Sequence, residues 1–372
     1  MEYNITINRE NLIKPLQYIT NIISNRPVIP IINNILIDIS ESGLITLKST
    51  NLEIEMTYVL ENKFCKAKYS ITISGKKFYN ICRSLPNKSD ITISLNNNRA
   101  IISSKKCSFV ILTLPTNNFP VIDFLKQDIS FTLNHKIIKT FINSTYFSIA
   151  NNDVRKYLNG LFLEIKNNIL SVVSTDGHRL SIFYYHLKNK LNSYSVIIPR
   201  KSIFELSKLV NDSNELVNIK INKGNICFIF QNFKFISKLI ESNFPDYNKI
   251  MPKKFYVTIK VNRIFFKNAL KRVSLLVNEN TKSVTLFLNN CNLKIFTSNI
   301  DNEKAEESLT IITYNHDFSN ISISFNINYL IDVLNILDND FIKISFIDEV
   351  SSIKIEDYYK KNKIYFIMPM KT

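Results

Sequence analysis

Short runs in which apolar and polar residues alternate one by one fill most of this chain, and such alternation marks strands with one buried face. Three of these runs change rhythm at an asparagine: NITINRENLIKPLQYITNIIS at 4–24, SFTLNHKIIKTFINSTYFSIA at 130–150 and VTIKVNRIFFKNALKRVSLLV at 257–277. Beyond each asparagine the apolar residues recur at helical spacing, so each segment predicts a strand, a junction and an amphipathic helix. Asn8, Asn134 and Asn262 stand at the junctions, 126 and 128 residues apart. Asparagine suits the place because its side chain accepts hydrogen bonds from the otherwise unpaired N–H groups of a first helical turn.

A second strand-to-helix unit recurs at nearly the same interval: ITISGKKFYNICRSLP from 71, VIIPRKSIFELSKLV from 196 and ISFNINYLIDVLNIL from 323. Its helices collect Phe78, Ile81, Cys82 and Leu85, or Leu330, Val333, Leu334 and Leu337, on one face. Between the helices, LITLKST, FVILTLP, ILSVVST, CFIFQNF and IKISFID read as antiparallel strands punctuated by Asn, Asp, Ser and Gly. The expected fold class is therefore α+β, with three repeated domains at 1–125, 126–252 and 253–372, each holding two helices on antiparallel sheets. NFPVID at 118–123 and NFPDYN at 243–248 mark the joints.

Composition narrows the class. No run approaches the roughly 18 to 20 apolar residues of a membrane span, and the N-terminus lacks the basic-then-apolar layout of a signal peptide, so a cytoplasmic protein with no membrane partner is expected. Cys65, Cys82, Cys107, Cys227 and Cys291 are odd in number and never spaced as C-x-x-C, which argues against a disulfide framework or a zinc site and reads as buried, reduced thiols. The formal charge of +16 suggests contact with phosphates. Only nine of the 47 basic residues are arginine, however, in a chain equally rich in Ile and Asn, so part of that charge reflects composition. The placement of the cations says more. Lys76, Asn80 and Arg83 share the face of their helix opposite the apolar row, and Lys201 with Lys208, Lys136 with Lys139 and Lys267 with Lys271 do the same elsewhere. One charged helix face is ordinarily just a solvated face, but repetition over equivalent helices suggests a surface that meets phosphates without reading bases.

The stretch TDGHRL at 175–180 is the chain's most concentrated chemistry, and three readings compete for it: a general base at His178, an anion site at Arg179, or a loop shaped to receive another protein. No second catalytic group is identifiable around His178, and the sequence contains neither a Gly-rich phosphate loop nor clustered carboxylates for metal ions. Asp176, Asp246 and Asp301 are scattered, and DEV at 348–350 and EDYY at 356–359 read as strand-end turns. TDGHRL itself reads as a turn shaped by Asp and Gly and followed by a strand.

TDGHRL, FPDY at 244–247, YLNG at 157–160, RPVIPI at 26–31, the helix start KKFYNICRSLP at 76–86 and MPM at 368–370 together resemble the bacterial DNA polymerase III β subunit family, the sliding clamps. The resemblance covers the whole chain, with motifs in all three thirds. It implies a head-to-tail homodimer closed into a ring around duplex DNA, helices lining the hole and strands forming the wall. It implies a non-catalytic subunit of a polymerase holoenzyme, with no cofactor and no metal. The implied partners are double-stranded DNA without sequence preference, a second copy of the chain, the DNA polymerase III α subunit, the clamp loader, and other polymerases and repair proteins.

Carried over residue by residue, the resemblance implies a pocket for partner peptides formed by Leu158, Thr175, Gly177, His178, Arg179, Leu180, Pro245, Lys249, Ile250, Asn326, Tyr329, Val350, Ser352, Phe366, Ile367, Met368, Pro369 and Met370. It implies DNA contact by Arg26, Lys76, Arg83, Lys156, Tyr157 and Lys201. It implies a ring-closing surface joining Lys77, Lys106, Phe109 and Ile111 of one chain to Leu275, Leu276, Glu303, Glu306 and Glu307 of the next, although Phe109, Leu275 and Leu276 read equally well as core. Lys249 stands where the family commonly has Arg, Lys156 replaces a Tyr, Phe366 is larger than the usual aliphatic, Lys304 interrupts the acidic stretch, and Lys371-Thr372 replaces an apolar end. The family also tends to be acidic. Two rivals stay open: a three-repeat protein that coats nucleic acid without closing a ring, and an enzyme using His178.

Overall fold

The computed structural model describes residues 3–24, 29–61, 68–96, 98–124, 126–252, 254–289, 292–299, 301–314 and 320–370. Arg26, Cys65, Cys291 and the Lys371-Thr372 end lie outside the described residues. Six α-helices occur among them, two in each sequence repeat: α1 (Arg9–Asn21), α2 (Gly75–Ser84), α3 (His135–Thr145), α4 (Arg200–Ser207), α5 (Arg263–Val273) and α6 (Ile327–Ile336).

All three junction asparagines cap a helix. Asn8 accepts from the Glu10 N–H, Asn134 from the Ile137 N–H, and Asn262 from the N–H groups of Ile264 and Phe265. The residue after each asparagine ties the paired helices together. Arg9 donates through Nε to the Cys82 carbonyl at 2.8 Å and through Nη2 to the Arg83 carbonyl at 3.1 Å, so it satisfies orphan acceptors at the end of α2. Arg263 does the same for α6, reaching the carbonyls of Leu334 and Asn339.

In the central repeat that residue is His135, and its chemistry differs. His135 Nδ1 accepts from the Asn211 backbone N–H at 3.4 Å, while Nε2 faces the Glu215 carboxylate at 4.0 Å. Burial pulls the imidazole below its ordinary 6.5, against a smaller opposing pull from Glu215. The folded chain thus holds the neutral ring, and below pH 6.5 the unfolded chain takes up the proton more readily. The contribution of His135 to stability is therefore complete above pH 6.5 and is lost as pH falls from there toward the lower folded value. Thermal melts between pH 7.5 and 5.5 are expected to show this loss, and His135→Gln is expected to flatten that part of the slope. The carboxylates whose values are lowered titrate from 4.5 downward, below this window, whereas burial raises Asp357 above its ordinary 3.8, and that carboxyl gains stability as pH falls, opposite in sign to His135.

The strands form three antiparallel sheets. A twelve-stranded sheet runs from Tyr3–Asn8 at one edge to Ile129–Asn134 at the other, and a nine-stranded sheet runs from Tyr194–Pro199 to Ile312–Thr313. A four-stranded sheet has Lys304–Thr310 and Ile321–Asn326 as its edges. Hydrogen bonding crosses both joints between repeats. Ile54–Glu61 pairs with Phe233–Lys238, and Arg179–His186 pairs with Lys363–Ile367. By contact the chain accordingly divides into two compact units, Met1–Lys139 with Lys201–Leu239 and Thr140–Arg200 with Ile240–Thr372. The sequence thirds and these units cut the chain differently because each half of the central repeat continues a neighbour's sheet.

Packing follows the sequence pattern. In the second unit Val257, Ile259, Phe266, Leu270, Phe325, Leu330, Phe346 and Tyr365 belong to one buried cluster between the helices and the sheets. Each such side chain contributes about 1.5 to 3 kcal/mol by leaving water. Gly160, the last residue of YLNG, admits no larger residue, since a Cβ there would lie 2.6 Å from the Ile197 side chain and 2.7 Å from the Ile198 carbonyl. Two expectations need correcting. Cys82 and Cys227 are buried thiols, but Cys107 is exposed. Glu356 and Asp357 lie buried in the strand Ile353–Asp357, and only Tyr358 and Tyr359 of EDYY form the turn.

Candidate functional site

TDGHRL lies in the second unit and is built as a self-supporting turn. Asp176 Oδ1 accepts from the backbone N–H groups of His178 and Arg179, Thr175 Oγ1 accepts from the Gly177 N–H and donates to the Arg179 carbonyl, and Gly177 takes φ +93. Glycine suits that last angle because it carries no Cβ to clash. From Arg179 the chain enters a strand that pairs with the C-terminal strand, Arg179 opposite Ile367 and Leu180 opposite Phe366. The Met368 N–H then donates to the His178 carbonyl at 2.9 Å, and the Met370 N–H to the Ser324 carbonyl at 2.8 Å. MPM is thereby fixed alongside TDGHRL and close to Asn326, whose side chain caps α6.

Arg179 is the anchor of this arrangement. Nε donates to Asp176 at 2.9 Å, Nη1 to Asp332 on α6 at 2.6 Å, and Nη2 to the Phe147 carbonyl at 2.5 Å. Its guanidinium lies 4.3 Å from the Tyr329 ring centroid and 5.2 Å from that of Phe147. Three of its N–H groups and its planar faces are committed to the chain's own groups, which makes it a brace between the turn and α6 rather than an open anion site. His178 is exposed and contributes its backbone carbonyl. Asp332 and Phe147 did not emerge from the sequence, and Asp176 was read only as shaping the turn. Asp332 is 153 residues from Arg179 and Phe147 is 32, so no local pattern links them.

The candidate pocket residues, all in the second unit, differ in exposure. Leu158, Leu180, Phe366 and Ile367 are buried, whereas Thr175, Asn326, Tyr329, Ser352, Pro369 and Met370 are half-buried. Gly177, His178, Pro245, Lys249, Ile250, Val350 and Met368 are exposed, Val350 at 80%. FPDY holds the approach: Phe244 stacks on Phe162 at 4.4 Å, and the Tyr247 hydroxyl donates to Glu164 at 2.9 Å. Burial pushes that hydroxyl well above the usual phenol range. Leu180, Phe366 and Tyr247 share one buried cluster, with Tyr157, Phe244 and Met251 packed on it. Ile250, Val350 and Met368 leave exposed apolar surface in this unit, of the kind that can take up short apolar segments. Among the described residues no group of three His, Cys, Asp or Glu could hold a metal ion.

The candidate DNA contacts lie on exposed or half-buried ground. Lys76 and Arg83 are exposed on α2 and Lys201 on the first turn of α4, all in the first unit. Lys156 is exposed and Tyr157 half-buried on a 3-10 turn of the second unit. Lys208 and Lys139, expected beside them, are neutralised by Glu205 at 2.8 Å and Asp212 at 2.5 Å.

The ring-closing candidates are open in the single chain. Lys77 and Lys106 are exposed, and the strand Cys107–Leu114 has one exposed face, with Val110, Leu112 and Leu114, and one partly covered face, with Phe109 and Ile111 half-buried. Among the described residues that strand pairs with Arg99–Ser104 but reaches Tyr69–Ser74 only at Thr113 and Leu114, which leaves one edge without a described partner over most of its length. Val110 and Leu112, which the sequence reading passed over, are among its exposed residues, Leu112 at 71%. In the other unit Leu275 is 82% exposed and Leu276 half-buried, so neither is core. Glu306 pairs with Lys294 at 2.7 Å, Glu307 with Arg272 at 2.5 Å, and Glu303 accepts from Asn299 at 2.6 Å. All three stand on or beside the free edge strand Lys304–Thr310.

Comparison with known proteins finds the same architecture. Family models of the N-terminal, central and C-terminal domains of the DNA polymerase III beta subunit match residues 3–123, 132–246 and 248–371. The beta sliding clamp of Haemophilus influenzae is 36% identical over 366 residues, 98% of this chain and 99% of that protein. That of Escherichia coli K12 is 35% identical over the same span and coverage. A crystal structure of the Pseudomonas aeruginosa sliding clamp bound to griselimycin superposes with a TM-score of 0.95 at 30% identity, covering 100% of both chains.

Proposed function

The chain belongs to the DNA polymerase III beta subunit family, and from that premise we propose that it is a sliding clamp: two copies close head to tail around duplex DNA and tether replication proteins to it. The carrying observation is the end-to-end match to sliding clamps, with all three domains in order. The protein acts as the non-catalytic processivity subunit of a polymerase, which agrees with a TDGHRL turn whose arginine is consumed in bracing.

Ring closure is supported by two complementary surfaces. A free strand edge with exposed apolar residues, at Cys107–Leu114, and a second free edge beside Leu275 and Leu276 suit each other, and pairing them would remove two edges that otherwise invite aggregation. Lys77 and Lys106 would meet Glu303, Glu306 and Glu307. Two of those acids already have cationic partners within the chain, so apolar burial carries more of this contact than charge does. Lys76, Arg83, Lys156, Tyr157 and Lys201 would touch the phosphates. Held topologically, the duplex needs only weak contacts, and sliding stays fast.

The exposed rim of Ile250, Val350 and Met368 over the Arg179 brace would receive apolar peptide segments from the polymerase α subunit, the clamp loader and repair proteins in turn. Methionine repacks easily around different partners. The test is primer extension on a long single-stranded template with a bacterial polymerase III core and clamp loader. Adding this protein with ATP is expected to lengthen products per binding event on the order of tenfold or more, and equal product lengths with and without it would refute the reading.

A further inference from the structure

One face of the nine-stranded sheet changes character along its length. Over the central-repeat strands it is covered by Phe244, Tyr247, Met251 and Phe255. Over Val257–Asn262, Phe341–Phe346 and Ile353–Asp357 it carries rings and lysines instead. Val257, Ile259 and Val261 point into the core, so Thr258 and Lys260 point the other way. The register sets Lys260 beside Lys343, Lys343 beside Glu356, and Ser345 beside Lys354 on that same face.

The rings are arranged around Lys260. Its Nζ lies 4.4 Å from the Phe341 centroid and 4.3 Å from that of Tyr358. The Tyr314 hydroxyl donates to the Tyr358 hydroxyl at 2.8 Å, and Tyr359 stands perpendicular to Tyr358 with centroids 4.8 Å apart. Tyr359 is 71% exposed and Tyr314 46%. Lys360 and Lys361 are exposed at the adjoining turn. On this face the strand carboxylate Glu356 is buried between Lys354 at 2.8 Å and Lys343 at 3.9 Å, and Lys260, Lys360 and Lys361 add to the cations.

Exposed rings interleaved with ammonium groups match a chain of unstacked bases joined by phosphates: bases lie on rings, and lysines follow the backbone. Duplex DNA keeps its base faces stacked internally and cannot use the rings. An acidic peptide would use the lysines but leave the tyrosines idle. We propose that the aromatic end of this face, centred on Tyr314, Tyr358 and Tyr359, binds single-stranded DNA without sequence preference. Choosing DNA over RNA rests on the clamp reading; the surface argument does not.

The test is fluorescence anisotropy of a labelled oligothymidylate of about twelve nucleotides, a length within the usual range for one binding face. Tyr359→Ala is expected to weaken binding about tenfold, and Tyr314→Ala with Tyr359→Ala about a hundredfold, whereas Tyr359→Phe retains the ring and the affinity. Matching melting temperatures would show that the variants fold. On the unaltered protein, a bromouracil oligonucleotide is expected to photo-cross-link to peptides containing Tyr314 or Tyr359. Unchanged affinity in the double variant would overturn the proposal. So would loss on Lys76→Ala with Arg83→Ala instead, competition by polyglutamate equal to that by the oligonucleotide, or cross-links confined to other peptides. A short linear strand needs no closed ring, so failure here leaves the clamp reading standing, and failure of ring closure leaves this surface to be judged alone.

Discussion

Arg179→Ala is expected to weaken capture of a partner peptide on the order of a hundredfold, with a loss of about 2 to 3 kcal/mol in folding stability. The guanidinium joins Asp176, Asp332 and the Phe147 carbonyl and lies over two rings, so truncation removes every one of these contacts together. It also leaves Oδ2 of Asp176 without its cation, in a side chain only 16% exposed, while Oδ1 keeps its two backbone N–H donors. Asp332 is 40% exposed and is partly rescued by water, which is why the stability loss falls below that for a fully buried pair. With the brace gone, Tyr329 and the TDGHRL turn no longer hold a common geometry, and a groove that must be preformed loses affinity. Arg179→Lys keeps the charge but not the fork, and should fall between the two. Calorimetric titration with a peptide from the polymerase α subunit, paired with urea unfolding, measures both effects. Full peptide affinity in Arg179→Ala would mean that the pocket lies elsewhere.

Leu275→Asp is expected to convert the protein from dimer to monomer while leaving the melting profile of the single chain unchanged. Leu275 is largely exposed within one chain, so the aspartate costs nothing in the isolated fold. In the ring it would lose about 2 kcal/mol of apolar burial and place a carboxylate against an apolar strand. The closed ring contains this contact twice, so the penalty is doubled. Sedimentation velocity at micromolar concentration should report the shift, and Leu112→Asp on the opposing strand should produce the same result. A dimer that survives both substitutions would place the ring contact on other residues.

The features legible in the sequence were local ones. Three asparagines cap three helices because capping depends on residues within one turn, and TDGHRL reads as a turn because Asp and Gly act on their own backbone. What stayed hidden depended on distant partners. Two brace partners of Arg179, Asp332 and Phe147, come from other elements, and the place of His135 where the other repeats have Arg9 and Arg263 shows its meaning only once Asn211 and Glu215 are beside it. FVILTLP shows a further limit. Its residues mark it as a strand but not as one whose face at Val110, Leu112 and Leu114 stays exposed, because a strand's own sequence does not show what packs against it. The misplacement of Cys107 among the buried thiols has the same cause.

The closed ring is tested most directly by topology. The protein is loaded on a nicked DNA circle by a bacterial clamp loader and ATP, with the loader first shown active on its own clamp. The complex is then washed at high salt and the circle is linearised. A ring predicts retention through the wash and release on cutting, since the ring slides off the new ends. Contacts made only by lysines to phosphates would instead be lost at high salt from the intact circle, because counterion release makes such binding steeply salt-dependent. That second result, from a working loader, would contradict the account.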